Sequence, residues 1–266
     1  MREFIPYLTK HPKASISELV KPYKDFESEL RKVYAQQPDH EVVQDGKVNL
    51  VPLFDGHEAE LKIRARNLSA ETEEETSKYI MTLKDADRKA DGSPAVVASF
   101  KDFQQNFNLF SESSLTELDW SNVVAAGSAV TTALLPIPQK WAASKRSLRE
   151  YYHEHLAPAS DVDLFIYGLD EEQALEKIRQ IERSIKDSIL HETTTIRSKN
   201  AITIASQYPT RHVQIVLRLY DSISQIITGF DVDCACAAYT GDQVYAAPRA
   251  IAAFVSVLSV GSALLY

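Results

Sequence analysis

The sequence predicts an α+β protein: a small mixed sheet of α/β type with helices packed on it, preceded by a helical N-terminal region. Three observations carry this. From Phe100 onward, short apolar strand-like runs alternate with helix-like runs, the pattern of a sheet with helices on at least one face. Two of the strand-like runs, 200–206 and 212–219, succeed each other directly through Tyr208-Pro209-Thr210, so the sheet contains a hairpin. The composition, 44% apolar and 25% charged over 266 residues, is that of a globular chain able to bury a sizeable core.

Residues 16–35 place Ile16, Leu19, Val20, Tyr23, Phe26, Leu30 and Val33-Tyr34 at helical spacing, with Pro22 as a kink or break. Residues 48–54 alternate weakly around Pro52, which fits an edge strand. Residues 69–94 are highly charged and carry one apolar stripe of Tyr79, Ile80 and Leu83, a solvated helix leading to a linker at Asp91-Gly92-Ser93-Pro94. Phe103, Phe107, Leu109 and Phe110 mark a helix packed on the strands and helices C-terminal to it. Residues 123–126 form a short strand running into Gly127-Ser128, and residues 129–135 a short helix stopped by Pro136.

After a polar stretch, residues 161–167 read as a strand ended by Gly168. Residues 171–190 form a helix with Ala174, Leu175, Ile178, Ile181, Ile185 and Leu190 on one stripe. Residues 222–227 are a short helix with a Ser-x-x-Gln cap, and residues 230–236 a last strand carrying Asp231, Asp233, Cys234 and Cys236. The expected division is an N-terminal helical and linker region (1–94), a main domain (95–249) and an apolar C-terminal helix (250–266) that breaks off without a polar finish. That last run is shorter than the ~20 residues of a spanning helix, so a core helix is expected rather than a membrane anchor.

Charge and cysteines narrow the function. A net charge of −8 makes constitutive polyanion binding the less natural role. Cys234 and Cys236, alone in the chain, make neither a disulfide framework nor a zinc motif. With an N-terminus lacking a signal-peptide core, they point to a reducing, intracellular setting, cytoplasmic or nuclear. There is no G-x-G-x-x-G, no G-K-[ST] and no G-x-S-x-G among the eight glycines.

Three features suit phosphate and metal chemistry. Gly127-Ser128 between a strand and a helix lets the backbone approach a ligand closely, with free N–H groups and a hydroxyl for an anion. Asp161 and Asp163, two apart on a strand, point to one side. Two anions there call for a cation, and magnesium favours oxygen ligands that it shares with substrate phosphates. A third carboxylate, Asp231 or Asp233, would let two metals sit roughly 3.5–4 Å apart. Lys199, Arg211 and Arg218 lie on or near the strands after the acidic pair, and a site-facing member would hold the β- and γ-phosphates. Residues 136–158, with Lys140, Lys145, Arg146, Arg149, Trp141, Tyr151 and Tyr152, read as a basic, aromatic loop. His153 and His155 fit no standard zinc spacing.

The order strand, Gly127-Ser128, helix, then Ser160-Asp161-Val162-Asp163, then a later acidic segment resembles the polymerase-β-like nucleotidyltransferase superfamily. Val213-Gln214-Ile215-Val216 with the later Gly229-Phe230-Asp231-Val232-Asp233 is similar to a branch of uncharacterised fungal and large-virus proteins, some with ankyrin repeats. The resemblance covers roughly residues 103–248, with 136–158 as an insertion that loops out. It implies a nucleotidyltransferase-like fold and transfer of a nucleoside monophosphate from an NTP to an acceptor hydroxyl. Mg2+ (or Mn2+) would be held by Asp161, Asp163 and, in this branch, Asp231. Gly127, Ser128, Lys199 and Arg218 would bind the nucleotide. The acceptor (protein, small molecule or RNA), the base and the oligomeric state stay open. The alternative is a catalytically inactive nucleotidyltransferase fold serving as a binding or interaction module.

Overall fold

Eight strands among the described residues form one mixed sheet in the order β1-β8-β7-β2-β3-β6-β5-β4. The computed structural model describes residues 1–37, 39–65, 72–73 and 89–256. The strands are β1 (Val51–Pro52), β2 (Val123–Ala126), β3 (Val162–Tyr167), β4 (Thr193–Arg197), β5 (Ala201–Ser206), β6 (Val213–Tyr220), β7 (Ala237–Tyr239) and β8 (Val244–Ala246). All neighbours are antiparallel except β3 and β6. A parallel pair needs a crossover, supplied here by helix α6 (Glu171–Ser188) and the β4-β5 hairpin. The protein is thus α+β.

Helix α6 starts on a capping box: Asp170 accepts from the Gln173 N–H, and the Gln173 side chain answers the Asp170 N–H. It buries Ala174, Lys177, Ile181 and Ile185. The expected stripe holds only in part, since Leu175 and Leu190 are exposed. The other helices are α1 (Phe4–Lys10), α2 (Ile16–Gln36), α3 (Phe100–Phe110), α4 (Ser128–Leu134), α5 (Lys145–Glu150), α7 (Ile223–Thr228) and α8 (Pro248–Ser256). Pro22 lies within α2 without ending it. Pro52 sits in the edge strand β1, where a missing N–H is tolerated.

Several expectations change. A strand that the sequence reading did not name, β4, pairs with β5 at the sheet edge; its sequence, Thr-Thr-Thr-Ile-Arg, is polar and mostly exposed, as suits that place. Residues 230–236 are not a strand: they bend and then form a 3-10 turn, Asp233–Ala235, and pairing begins only at Ala237. Residues 136–158 do not loop out. They fold as a 3-10 turn (Gln139–Trp141), α5 and a π-helical turn (Tyr151–Leu156). The charged helix expected over 69–94 falls almost wholly outside the described residues, as does the apolar run after Ser256.

The expected boundary at residue 94 does not separate two cores. Phe4, Leu30, Leu53 and Ile63 are as deeply buried as Phe107, Val124, Ile215 and Ile251, and the first, third and fourth of them share one buried cluster with those four. Asp91-Gly92-Ser93-Pro94 is a hydrogen-bonded surface turn: Asp91 accepts from the Ala65 N–H, and the Gly92 N–H reaches Ile63 O at 2.8 Å. None of the described helices is long and apolar enough to cross a membrane.

Candidate functional site at the Gly127-Ser128 turn

Strand β2 ends opposite the carboxylate pair, because Ala126 is the register partner of Asp163 on β3. Gly127 then turns the chain out of the sheet with φ +90° and ψ −145°, a conformation open essentially to glycine. A Cβ there would meet the Phe230 ring at 3.4 Å, an ordinary van der Waals contact, so the backbone conformation is what selects glycine. The Gly127 N–H is held by Ala237 O at 3.1 Å, which ties the turn to β7. Ser128 opens α4, and its Oγ lies 2.9 Å from the Oγ of Ser160, the residue before Asp161. The turn and the acidic segment, 32 residues apart, therefore meet through two hydroxyls.

Asp161 stands just ahead of β3 and Asp163 within it, both partly buried and on the same side of the strand. Burial, and secondarily the Asp161 charge, push the Asp163 carboxyl up from 3.8 to about 6. Among the described residues no basic side chain forms an ion pair with Asp163; His212 Nδ1 is 3.8 Å from Asp161 Oδ1. An acidic pair with so little countercharge, beside two hydroxyls, is a set of hard oxygen donors, and that chemistry fits magnesium or manganese.

The sheet decides what sits beside the pair. Strand β6 runs parallel to β3 with Gln214 opposite Asp163. Its side-chain amide donates to Asp161 Oδ2 at 2.7 Å. Sequence reasoning passed over Gln214 because its importance depends on register. The signal in the sequence was a polar residue between apolar neighbours in Val213-Gln214-Ile215-Val216.

The other expected site residues have contacts of their own. Asp231 is exposed in the bend before the 3-10 turn and lines a cavity of about 220 Å³ with Arg31, Tyr34, Arg218 and Gln225. Asp233 is ion-paired with Arg249 at 3.1 Å and Lys24 at 2.9 Å. Arg218 is four residues past Gln214 on β6, roughly 13 Å at ~3.3 Å per residue, with its guanidinium 4.9 Å from the Tyr220 ring centroid. Lys199 is exposed in the β4-β5 turn, next to Asn200, whose carbonyl accepts from Leu217 at that same end of β6. Cys234 and Cys236 are free thiols, and burial pushes Cys236 up to about 12.

Arg211 is buried and structural. It donates to the carbonyls of Phe110, Ala157, Ser160 and Tyr152 at 2.8–2.9 Å and stacks on Phe110. It thereby pins the insertion and the backbone just before Asp161. Further anchors are Arg149 and His153, which both reach Glu112. The insertion's aromatics pack rather than face solvent as a binding surface: Trp141 stacks on Tyr151 at 5.7 Å, and Tyr152 is fully buried against Phe110. Glu150, Glu154 and His155 bring ligand-capable atoms within 4.8 Å of one another, all exposed.

A family model of the Gabija anti-defense 2 family matches residues 99–256, well over half of the chain. The chain belongs to that family. The matched span contains the Gly127-Ser128 turn, the acidic pair, Gln214 and the insertion. A protein of Acanthamoeba polyphaga mimivirus, described as uncharacterized protein R883, is 29% identical over 173 residues. The alignment takes in 59% of this Gabija anti-defense 2 family chain and 34% of the viral protein, so the chain spans about a third of that relative's length. No solved structure matches it.

Proposed function

We propose that the protein binds a metal–NTP complex at the Gly127-Ser128 turn and the Asp161/Asp163 pair, and transfers a nucleoside monophosphate to an acceptor hydroxyl. The observation that carries this is the meeting of turn and carboxylates, through the Ser128–Ser160 contact and the Ala126–Asp163 register. Asp161 and Asp163 would hold magnesium or manganese. The ion, when bound, neutralises phosphate charge and favours displacement at phosphorus. Gly127 lets the backbone take the turn beside which the triphosphate would sit, and Ser128 offers it a hydroxyl donor. The acceptor oxygen bonds to the α-phosphorus, the bond to the β-phosphate oxygen breaks, and pyrophosphate leaves. The acceptor's proton passes to solvent or a nearby base.

The family description names an action against the Gabija defence. Carried over to this chain, that description supports an acceptor, or a partner of a bound nucleotide complex, belonging to a host defence system. The free thiols support an intracellular, reducing setting.

A second reading has its own observation. The β6 neighbour of the pair is Gln214, a neutral amide that hydrogen-bonds Asp161, and not a further carboxylate. That favours a fold that binds nucleotide or a partner without turnover.

Calorimetry with each NTP and a non-hydrolysable analogue tests the site. We expect magnesium-dependent binding that Asp161→Asn/Asp163→Asn abolishes while the protein stays folded. Binding untouched by the double substitution, or absent from the folded wild type, sinks the assignment. Release of pyrophosphate with a screened set of acceptors separates the two readings.

A further inference from the structure

We infer that the acidic pair takes one divalent cation with its nucleotide, not two, because its neighbour on β6 is the neutral Gln214, which holds Asp161. The inference rests on the nucleotide-binding reading above and concerns the number of ions.

Register sets the neighbours of the pair. Asp163 and Gln214 are partners across the parallel β3/β6 pair, so their side chains leave the same face of the sheet side by side. A third carboxylate supplied by β6 would have to stand at that position. The side chain there is instead a neutral amide. Its orientation is dictated by its partner: an ionised carboxylate only accepts hydrogen bonds, so Gln214 must present its NH2 group to Asp161 Oδ2, at 2.7 Å. An NH2 group cannot ligate a cation. Turning the amide oxygen inward would break this bond and bring a partial negative charge against the carboxylate.

The site therefore has one negative charge fewer than a three-carboxylate cluster, which weakens the hold on a second divalent ion. Asp161 Oδ2 has also committed one of its lone pairs to Gln214, which makes Oδ1, Asp163 and the nucleotide phosphates the freer donors for an ion. His212, 3.8 Å from Asp161 Oδ1, adds no third anion. Across β6 the next residue on this face is Thr203 of β5, the partner of Gln214, which is uncharged. Gln214 is therefore a positioning residue that sets the orientation of Asp161 and the number of ions held.

The test counts Mn2+ by electron paramagnetic resonance and calorimetry, with a non-hydrolysable ATP analogue at saturation. The wild type is expected to bind one Mn2+ per nucleotide, with no dipolar broadening between paired ions. Gln214→Glu restores a carboxylate and is expected to bind two, with a spin-coupled signal. Gln214→Ala is expected to bind one, at least threefold more weakly, because Asp161 loses its support. Circular dichroism confirms that each variant is folded. Should Gln214→Glu not fold, the wild-type count together with Gln214→Ala decides. Two coupled ions in the wild type overturn the inference while leaving the nucleotide-binding reading intact, as does a single ion in a folded Gln214→Glu. No Mn2+–nucleotide binding in any folded protein overturns the underlying reading and this inference with it.

Discussion

Asp163 combines a binding role with a folding penalty. Its carboxyl is pushed up from 3.8 to about 6 by burial and by Asp161. Linkage gives the sign. Between these two values the unfolded chain has lost the proton while the folded chain keeps it. Relative stability is therefore highest below about pH 4 and falls as pH rises through 6, by up to ~3 kcal/mol at ~1.4 kcal/mol per pKa unit. Asp163→Asn removes the charge, so in metal-free buffer at pH 7.5 it should raise Tm by several degrees while eliminating magnesium-dependent nucleotide binding. An unchanged or lowered Tm would mean that Asp163 is solvated rather than desolvated. Gly127 makes the complementary case. Gly127→Ala forces φ +90° on an alanine and sets its Cβ 3.4 Å from Phe230. We expect a loss of about 1–3 kcal/mol in urea unfolding together with weaker nucleotide binding. Gly92, also at positive φ but with nothing within 4 Å of its Cβ position, is the control and should leave binding unchanged.

At the scale of elements, Arg211 joins the insertion to the sheet. Its guanidinium reaches four backbone carbonyls, two of which, Ala157 and Ser160, flank the turn into Asp161. Arg211→Leu keeps bulk but strands those buried acceptors, and a loss on the order of 3 kcal/mol is expected in urea unfolding. A loss below about 1 kcal/mol would show that water replaces the guanidinium and that the insertion is not pinned. What the sequence reveals of these elements depends on periodicity. Strand β2, strand β3 and helix α6 are legible because each carries a clear apolar run or stripe and a turn signal at its end. Residues 230–236 mimic a strand, since Phe230, Val232, Cys234 and Cys236 alternate with polar or small residues. The alternation instead serves two purposes: Phe230 packs under Gly127, and Asp233 faces Arg249. Strand β7, Ala-Ala-Tyr, is buried on both faces and shows no alternation to read. The grouping of Ser128, Asp161 and Asp163 is readable from order along the chain. Gln214 is not, because its place depends on which strand lies next to β3.

The whole molecule depends on residues outside the span that defines its family. The match begins at residue 99, yet Phe4, Leu8, Val20, Val51, Leu53 and Ile63 belong to the same core as the strands that carry the site. Each fully buried side chain of this kind contributes about 1.5–3 kcal/mol, so together they rival the ~5–15 kcal/mol by which a domain is stable. One polar contact makes the dependence specific. Arg249 on α8 is buried and reaches the carbonyls of Ile227 and Phe230 and the Asp233 carboxylate, holding the segment that passes beneath Gly127. Its other partner is Glu27 of α2, at 2.8 Å and equally buried. Glu27→Ala leaves that guanidinium short of countercharge in the core, and about 3–5 kcal/mol of stability should be lost. Glu27→Gln retains an acceptor and should lose less. A chain beginning at residue 95 removes Glu27 and the apolar contacts together. It should bind a hydrophobic dye and lose its near-ultraviolet circular dichroism, although the Gly127-Ser128 turn and the acidic pair remain in it. A cooperatively unfolding, dye-silent fragment would show instead that the family span is a domain in its own right, with α1, α2 and β1 as an accessory layer.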